Sequence, residues 1–398
     1  MDSDSPLWSD LRSDLLLNIA NLLDSGMDRL CLRAVCHSWR SLLPPPSRRP
    51  PLRLPFPMGP SPHLNPERRG YFNLVRYTVY CLQPLKKISD TWKTPKCWLI
   101  MIDETEEPGK VRLTDPLSRS HHMNLSTRLP TTLNLLDFRV SEITKAYDLQ
   151  FVGNCEMPEL DSPEFSSVHA RRVAVCSPED AAFAVMVVHA DGELSIWRTG
   201  DEKWIVISDA PDDASYNDVV YHNGKFYAVG ERSLTISVDL LSLAIAVVTP
   251  AKPPADCGPF DGPKRLLSSL GDLFLLEWDF DFSEMFLSGK DVLGTYIHVY
   301  KLNEGSPKWV PVKSLGNRTI FVGAHCSFSV SAQEFRGCKK DCIYFNGGCL
   351  LPGEDYPGRG ALVYDMEDCS AKFLCKVFSY SGLFWPPPSW VMTRDAMS

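Results

Sequence analysis

The spacing of apolar residues changes character once along this chain, and that change decides what the chain can fold into. Leu11, Leu15, Ile19 and Leu22/Leu23 recur at three- and four-residue steps, which places them on one face of a helix. Ser9 or Asp10 stands where a helix cap belongs, and Gly26 stands where the helix is expected to stop. Asp28 to Leu43, carrying Leu30, Val35 and Trp39, reads as further helix and runs into Pro44-Pro45-Pro46, which cannot continue one. Beyond about residue 70, short apolar runs alternate with Gly, Asp, Asn and Pro, the pattern of many short strands. The reading is therefore mainly β with a small all-α N-terminal module. Its parts are a helical module over 1–43, a Pro-rich linker over 44–66 and a β domain over 67–398. Ten prolines fall between Pro44 and Pro66, so that segment is expected to act as a semi-rigid polyproline spacer. A module as small as the first buries too little surface to be comfortable alone and needs cover, from another protein or from the rest of the chain.

The β domain repeats itself. Val111-Arg-Leu-Thr-Asp115, Ile236-Ser-Val-Asp239 and Leu362-Val-Tyr-Asp365 each join an apolar strand to Asp and a turn, at steps of 124 and 126 residues (115 to 239, 239 to 365). Ile196-Trp197 followed by Lys203-Trp204 echoes Val299-Tyr300 followed by Lys308-Trp309. Asn223-Gly224 between apolar runs signals a tight hairpin, because both central positions of a type I′ turn need positive φ. Such repeats point to a β-propeller-like domain of six or seven blades, with a pair of β-sandwiches as the alternative.

Several function classes fit poorly. A net charge of −8 advertises no nucleic-acid or acidic-membrane surface. The basic pairs Arg48–Arg49, Arg68–Arg69 and Arg171–Arg172 read as solvated linker or loop charge. The longest apolar run, Ala181 to Val188, is about a third of a membrane crossing and reads as a buried strand. The acidic start, Met1-Asp2-Ser3-Asp4, does not read as a secretory signal. Thirteen cysteines, an odd number, suit reduced thiols in the cytoplasm or nucleus. Cys338, Cys342 and Cys349 have no His within their cluster, so no metal and no cofactor is expected there.

The sequence contains no phosphate-cradling Gly-Lys-Ser/Thr, no Gly-x-Ser-x-Gly elbow and no His-Glu-x-x-His. His121-His122 has no nearby acidic partner, and Asp191-Gly192 before Ser195 only faintly matches a sialidase-type turn. A propeller enzyme is thus a remote reading.

The N-terminal residues resemble an F-box: Leu11, Asp14, Leu15-Leu16, Ile19, then Leu30, Arg33, Val35-Cys36 and Trp39-Arg40. Arg12 stands where that family usually has Pro. The remainder resembles the Kib-type propeller of plant F-box proteins. The residues that carry this are Leu133-Asn-Leu-Leu-Asp137-Phe138-Arg139-Val140-Ser141-Glu142-Ile143, the Phe321-Val322-Gly323 step and Trp385-Pro-Pro-Pro-Ser-Trp390. The resemblance implies a three-helix F-box and the substrate-recognition subunit of a Skp–cullin–F-box ubiquitin ligase, a role without bond chemistry of its own. It implies a Skp-type adaptor held by Leu11, Leu15, Leu16, Ile19, Leu30, Val35 and Trp39, a cullin reached through that adaptor, and an unidentified protein substrate on the β domain. A non-ligase scaffold is the alternative.

Phe280, Phe282 and Phe286 alternate with acids and are candidate substrate anchors, unless the strand simply extends past Glu277. The loop Asp209 to Asp213 is a further candidate, and Trp385 to Trp390 is expected to close the propeller by terminal packing.

Overall fold

The computed structural model describes residues 11–23, 26–44, 52–55, 70–85, 97–104, 111–118, 138–153, 170–176, 183–207, 215–253, 262–280, 292–293, 295–335, 337–346, 360–374 and 383–384. Three helices come first: α1 (Ser13–Asn21), α2 (Gly26–Ala34) and α3 (His37–Leu42). Arg12 caps α1 with φ −59° and ψ 139° and makes no side-chain cap bond. Its φ is close to the value proline would impose, so the substitution keeps the backbone entry. The Arg12 guanidinium instead pairs with Asp14 in the first turn at 2.8 Å. Gly26 does not stop a helix; it opens α2. Cys36 caps α3, its sulfur accepting the Trp39 N–H at 3.5 Å.

The described strands form five sheets, not the six or seven expected. The first holds β1 (Leu52–Pro55), β2 (Gly70–Pro84), β3 (Trp98–Glu104), β4 (Val111–Thr114) and β5 (Phe138–Gly153). The second holds β6 (Ala170–Val175), β7 (Ala184–His189), β8 (Leu194–Arg198) and β9 (Ile205–Val206). The third is β10 (Tyr216–His222), β11 (Lys225–Gly230), β12 (Thr235–Asp239) and β13 (Ile245–Thr249). The fourth is β14 (Lys264–Ser269) and β15 (Asp272–Phe280), then β17 (Thr295–Asn303) and β18 (Lys308–Pro311); the intervening β16 (Val292–Leu293) belongs to the fifth. There β16 joins β19 (Arg318–Val322), β20 (Ser327–Ser331), β21 (Cys342–Asn346), β22 (Ala361–Asp365) and β23 (Ser370–Phe373). All pairings are antiparallel except β19 with β21.

Five apolar cores join these five sheets in a ring. One core holds Leu54, Phe72 and Val185 between the first and second sheets. The next holds Met186, Phe226 and Ile236 between the second and third. Val229, Leu266 and Leu275 join third to fourth, and Leu276, Ile297 and Ile343 join fourth to fifth. Tyr77, Leu99, Phe321 and Tyr344 close fifth on first. As many seams as sheets is the mark of a closed propeller.

Blade packing explains why the alternation expected of strands is blurred. Every residue of β7 is buried. Its side chains still alternate: Val185 and Val187 enter the seam with the first blade, while Ala184, Met186 and Val188 enter the seam with the third. A strand wedged between two neighbours reads as one apolar run for that reason.

The repeated sequence phrases have structural counterparts. Asp115, Asp239 and Asp365 each accept the N–H two residues on, at 2.9, 3.1 and 3.0 Å, so the shared phrase is a strand ending in an Asx turn. The two Lys-Trp steps place an indole that reaches another blade. Trp204 Nε1–H donates to the Pro55 carbonyl at 2.7 Å, and Trp309 Nε1–H donates to Thr235 Oγ1 at 3.1 Å. Asn223 and Gly224 take φ 44° and 83° in a two-residue turn between β10 and β11, as expected.

The segment 44–66 is not spacer throughout. Leu52–Pro55 pairs with β2, and Leu54 is 1% exposed. Proline is tolerated there because β1 is an edge strand with no second neighbour to serve. The tether from the helices to the β body is therefore short.

Candidate functional site

Two arrangements stand out: an apolar surface on the helices and a polar node inside the ring. α1 carries two apolar stripes. Leu16 and Ala20 turn inward with Trp39 and Leu43, and Leu11, Leu32 and Cys36 pack around them. Leu15, Ile19 and Leu22, at the same four- and three-residue steps but one residue earlier, remain 46%, 39% and 81% exposed. Leu17, Leu30, Val35 and Leu42 are exposed as well. Arg33 ties the end of the module by donating to the Leu43 carbonyl.

The residues expected at an adaptor interface thus divide by position. Leu15, Ile19, Leu30 and Val35 are open to a partner, and Leu11 is partly buried. Leu16 and Trp39 are instead buried, at 0% and 6% exposed, and hold the three helices together. Trp39 Nε1 has no hydrogen-bond partner among the described residues. α2 lies against β5, which is where the module meets the β body.

The polar node was not legible as such. Arg172, one of a basic pair read as solvated, is 5% exposed. Its Nε lies 3.5 Å from Asp218 Oδ1, and its Nη1 donates to the Gly323 and Ala324 carbonyls at 3.0 and 2.5 Å. Asp218 Oδ2 in turn accepts the Leu266 N–H at 2.8 Å. β6, β10, β14 and the turn after β19 are thereby joined through one ion pair. Beside it His325 stacks on Tyr77 at 4.3 Å and lies 3.3 Å from Asp148 of β5. Gly323 is required here, because a Cβ would sit 2.2 Å from the Pro116 carbonyl oxygen. The Phe321-Val322-Gly323 step is therefore a junction of core and node. Phe321 stacks on Phe328 and Tyr344 at 5.2 and 4.9 Å and meets Phe384 edge-on.

Phe280 closes β15, which does run past Glu277, and Trp278 is buried. Phe282, Phe286, His121-His122, Asp209 to Asp213 and Trp385 to Trp390 lie outside the described residues. Just before the last of these, Leu383 accepts the Leu99 N–H at 2.7 Å and Phe384 bridges to Leu99, so Leu383 and Phe384 enter the closing seam.

Asp191 turns out to shape a tight turn, accepting the Glu193 N–H at 3.0 Å. His189 Nε2 and Ser195 Oγ lie 2.5 Å apart. Both side chains are buried, and burial lowers the His189 pKa, so this pair presents no nucleophile to solvent. Among the described residues no cluster of His, Cys, Asp and Glu is suited to hold a metal ion.

Comparison with known proteins bears on both parts. The KIB1-4 beta-propeller family matches residues 71–365. F-box protein SKIP23 of Arabidopsis thaliana is 29% identical over 97% of this chain and 96% of its own length. F-box protein At2g17036 of the same plant is 25% identical over 97% and 95%. The putative F-box protein At3g25750 is 30% identical over 85% and 87%. The first two likenesses run through the helical module as well as the blades. With relatives named as F-box proteins and a five-bladed ring where the family match lies, this chain belongs to the KIB1-4 beta-propeller family.

Proposed function

We propose that this chain is the substrate-receiving subunit of a Skp–cullin–F-box ubiquitin ligase, acting in the cytoplasm or nucleus. The helices dock a Skp-type adaptor, and through it a cullin; the propeller holds a protein substrate. The chain itself makes and breaks no bonds. It raises the local concentration of substrate beside a charged conjugating enzyme.

One observation carries this reading. A three-helix module that has already satisfied its own core with Leu16, Trp39 and Leu43 leaves the Leu15–Ile19–Leu22 stripe uncovered. Fully burying a Leu or Ile side chain is worth roughly 1.5–3 kcal/mol. Three in a row, with Leu30 and Val35 also exposed on the module, can supply the apolar centre of a protein interface. The sequence likeness to proteins named for their F-box supports the identity of the partner.

The test is affinity purification of the full chain from plant cells with cullin activity and the proteasome blocked, beside a Leu15→Asp/Val35→Asp variant. Adaptor and cullin are expected with the intact chain and lost with the variant, while substrates persist with both. Recovery of adaptor without cullin favours a non-ligase scaffold. Failure of the intact chain to recover any Skp-type adaptor removes the proposal.

A further inference from the structure

The fourth blade carries a column of acids beside a column of rings. Between β15 and β17, Asp279 is paired with Tyr296, Glu277 with His298 and Leu275 with Tyr300. Side chains two positions apart on a strand share a face, so all six lie on one side of the sheet. That side is turned to the third blade, because Leu275 and Tyr300 enter the core shared with Val229 and Val248. The opposite side, with Leu276, Trp278, Ile297 and Val299, belongs to the seam with the fifth blade.

One step of the column already holds a cation. Lys252, just past β13 of the third blade, places Nζ 2.5 Å from Glu277 Oε2 and 4.9 Å from the centre of the Tyr300 ring. A carboxylate and a ring face thus share one ammonium. Ser233 Oγ donates to the other Glu277 oxygen, so this carboxylate is satisfied within the fold.

The next step along the column repeats the same two groups without a guest. Asp279 is half-buried and takes part in no ion pair or side-chain hydrogen bond among the described residues. Tyr296, directly opposite, is 40% exposed, and His298 beside it is exposed as well. Directly opposed residues of an antiparallel pair hold their Cβ atoms about 4.5–5.5 Å apart, so ring and carboxylate can face one cation together. The step from Glu277 to Asp279 is about 7 Å, which leaves room for a second cationic head beside that of Lys252. Glu277 offsets the charge of Lys252, and the charge of Asp279 is left for the guest.

We propose that Asp279, Tyr296 and His298 form a recognition site for a lysine or arginine side chain of the protein substrate. The proposal rests on the propeller being the substrate-holding half of the chain. Asp279 supplies the charge, Tyr296 the ring face, and His298 borders the site on the side of Lys252. An acidic side chain is repelled by Asp279, and an apolar one leaves that carboxylate desolvated without a partner. The site therefore selects a substrate segment that carries a positive charge.

The test presents the full chain with an acetylated, amidated pentapeptide that has one lysine between pairs of glycines, and reads saturation transfer by NMR. Matching peptides with norleucine or glutamate at the centre serve as controls. The lysine ε-methylene is expected to take up about threefold more saturation than either control side chain. Asp279→Asn and Tyr296→Ala are expected to bring it down to the control level, whereas Tyr296→Phe keeps the ring and the signal. Adaptor binding is expected to be the same in all three variants, so loss of peptide contact alone bears on this site and loss of adaptor docking bears on the ligase reading. Equal saturation from the three peptides, or an unchanged lysine signal in Asp279→Asn, would overturn the proposal. Should a variant fail to fold, the lysine peptide with a terminal diazirine decides on the unaltered chain. Photolysis is expected to label β15 or β17, and labelling confined to other strands contradicts the site.

Discussion

The helical module and the propeller use apolar residues in opposite ways. Over 11–44 three large side chains are buried and seven large apolar ones are exposed. The described β body, several times longer, exposes the same number: Leu52, Leu85, Leu241, Val247, Leu270, Tyr296 and Val310. Those seven are scattered over separate strands and turns, whereas Leu15, Ile19 and Leu22 form a stripe. The ring is finished by itself. The module leaves a stripe uncovered, and that contrast is what the proposed docking rests on.

Phe321→Ala attacks the finished half at its centre. Phe321 is fully buried and meets four aromatic rings, so the loss is expected to be about 3–5 kcal/mol by denaturant titration. A near-neutral result would mean that the fifth and first blades do not form one core. Leu16→Ala attacks the module, with an expected local cost of roughly 2–4 kcal/mol. Hydrogen exchange across α1 to α3 should then accelerate while the melting of the β body stays put. A shift of both would show that the two regions fold as one.

Smaller changes sharpen the contrast. Trp309→Phe keeps the ring but drops the indole bond to Thr235, and about 1 kcal/mol of β-body stability should go with it. The module should not notice. Leu270→Asn runs the other way. Leu270 sits at φ 54° in the turn to Gly271 and is 78% exposed, in the kind of turn that the neighbouring blade builds with Asn223-Gly224. Asn accepts that backbone more readily, so a gain of about 0.5 kcal/mol is expected in thermal melts.

How much of this was legible follows from the range of the interactions. The helix–strand division, the Asn223-Gly224 hairpin and the Lys-Trp steps are local and were readable from spacing. The stripe was readable too, but its division into an inner Leu16 row and an outer Leu15 row was not. Both rows are apolar at the same period, and only the positions of α2 and α3 separate them. Arg172 was misread because its partners, Asp218 and Gly323, are far away in sequence and belong to other blades. The blade number was overestimated from length, since the first sheet runs two long strands, β2 and β5, and the fifth gathers six. β1 was hidden among prolines that argue against strands.

The most direct measurement is calorimetric titration of a purified Skp-type adaptor into the intact chain and into Leu15→Asp, with the melting of each recorded alongside. Leu15 is exposed, so the variant should melt as the intact chain does, yet bind at least about 30-fold more weakly, the effect of some 2 kcal/mol at an interface hot spot. Equal affinity for both, with the fold intact, would contradict the claim that the uncovered stripe is the docking surface.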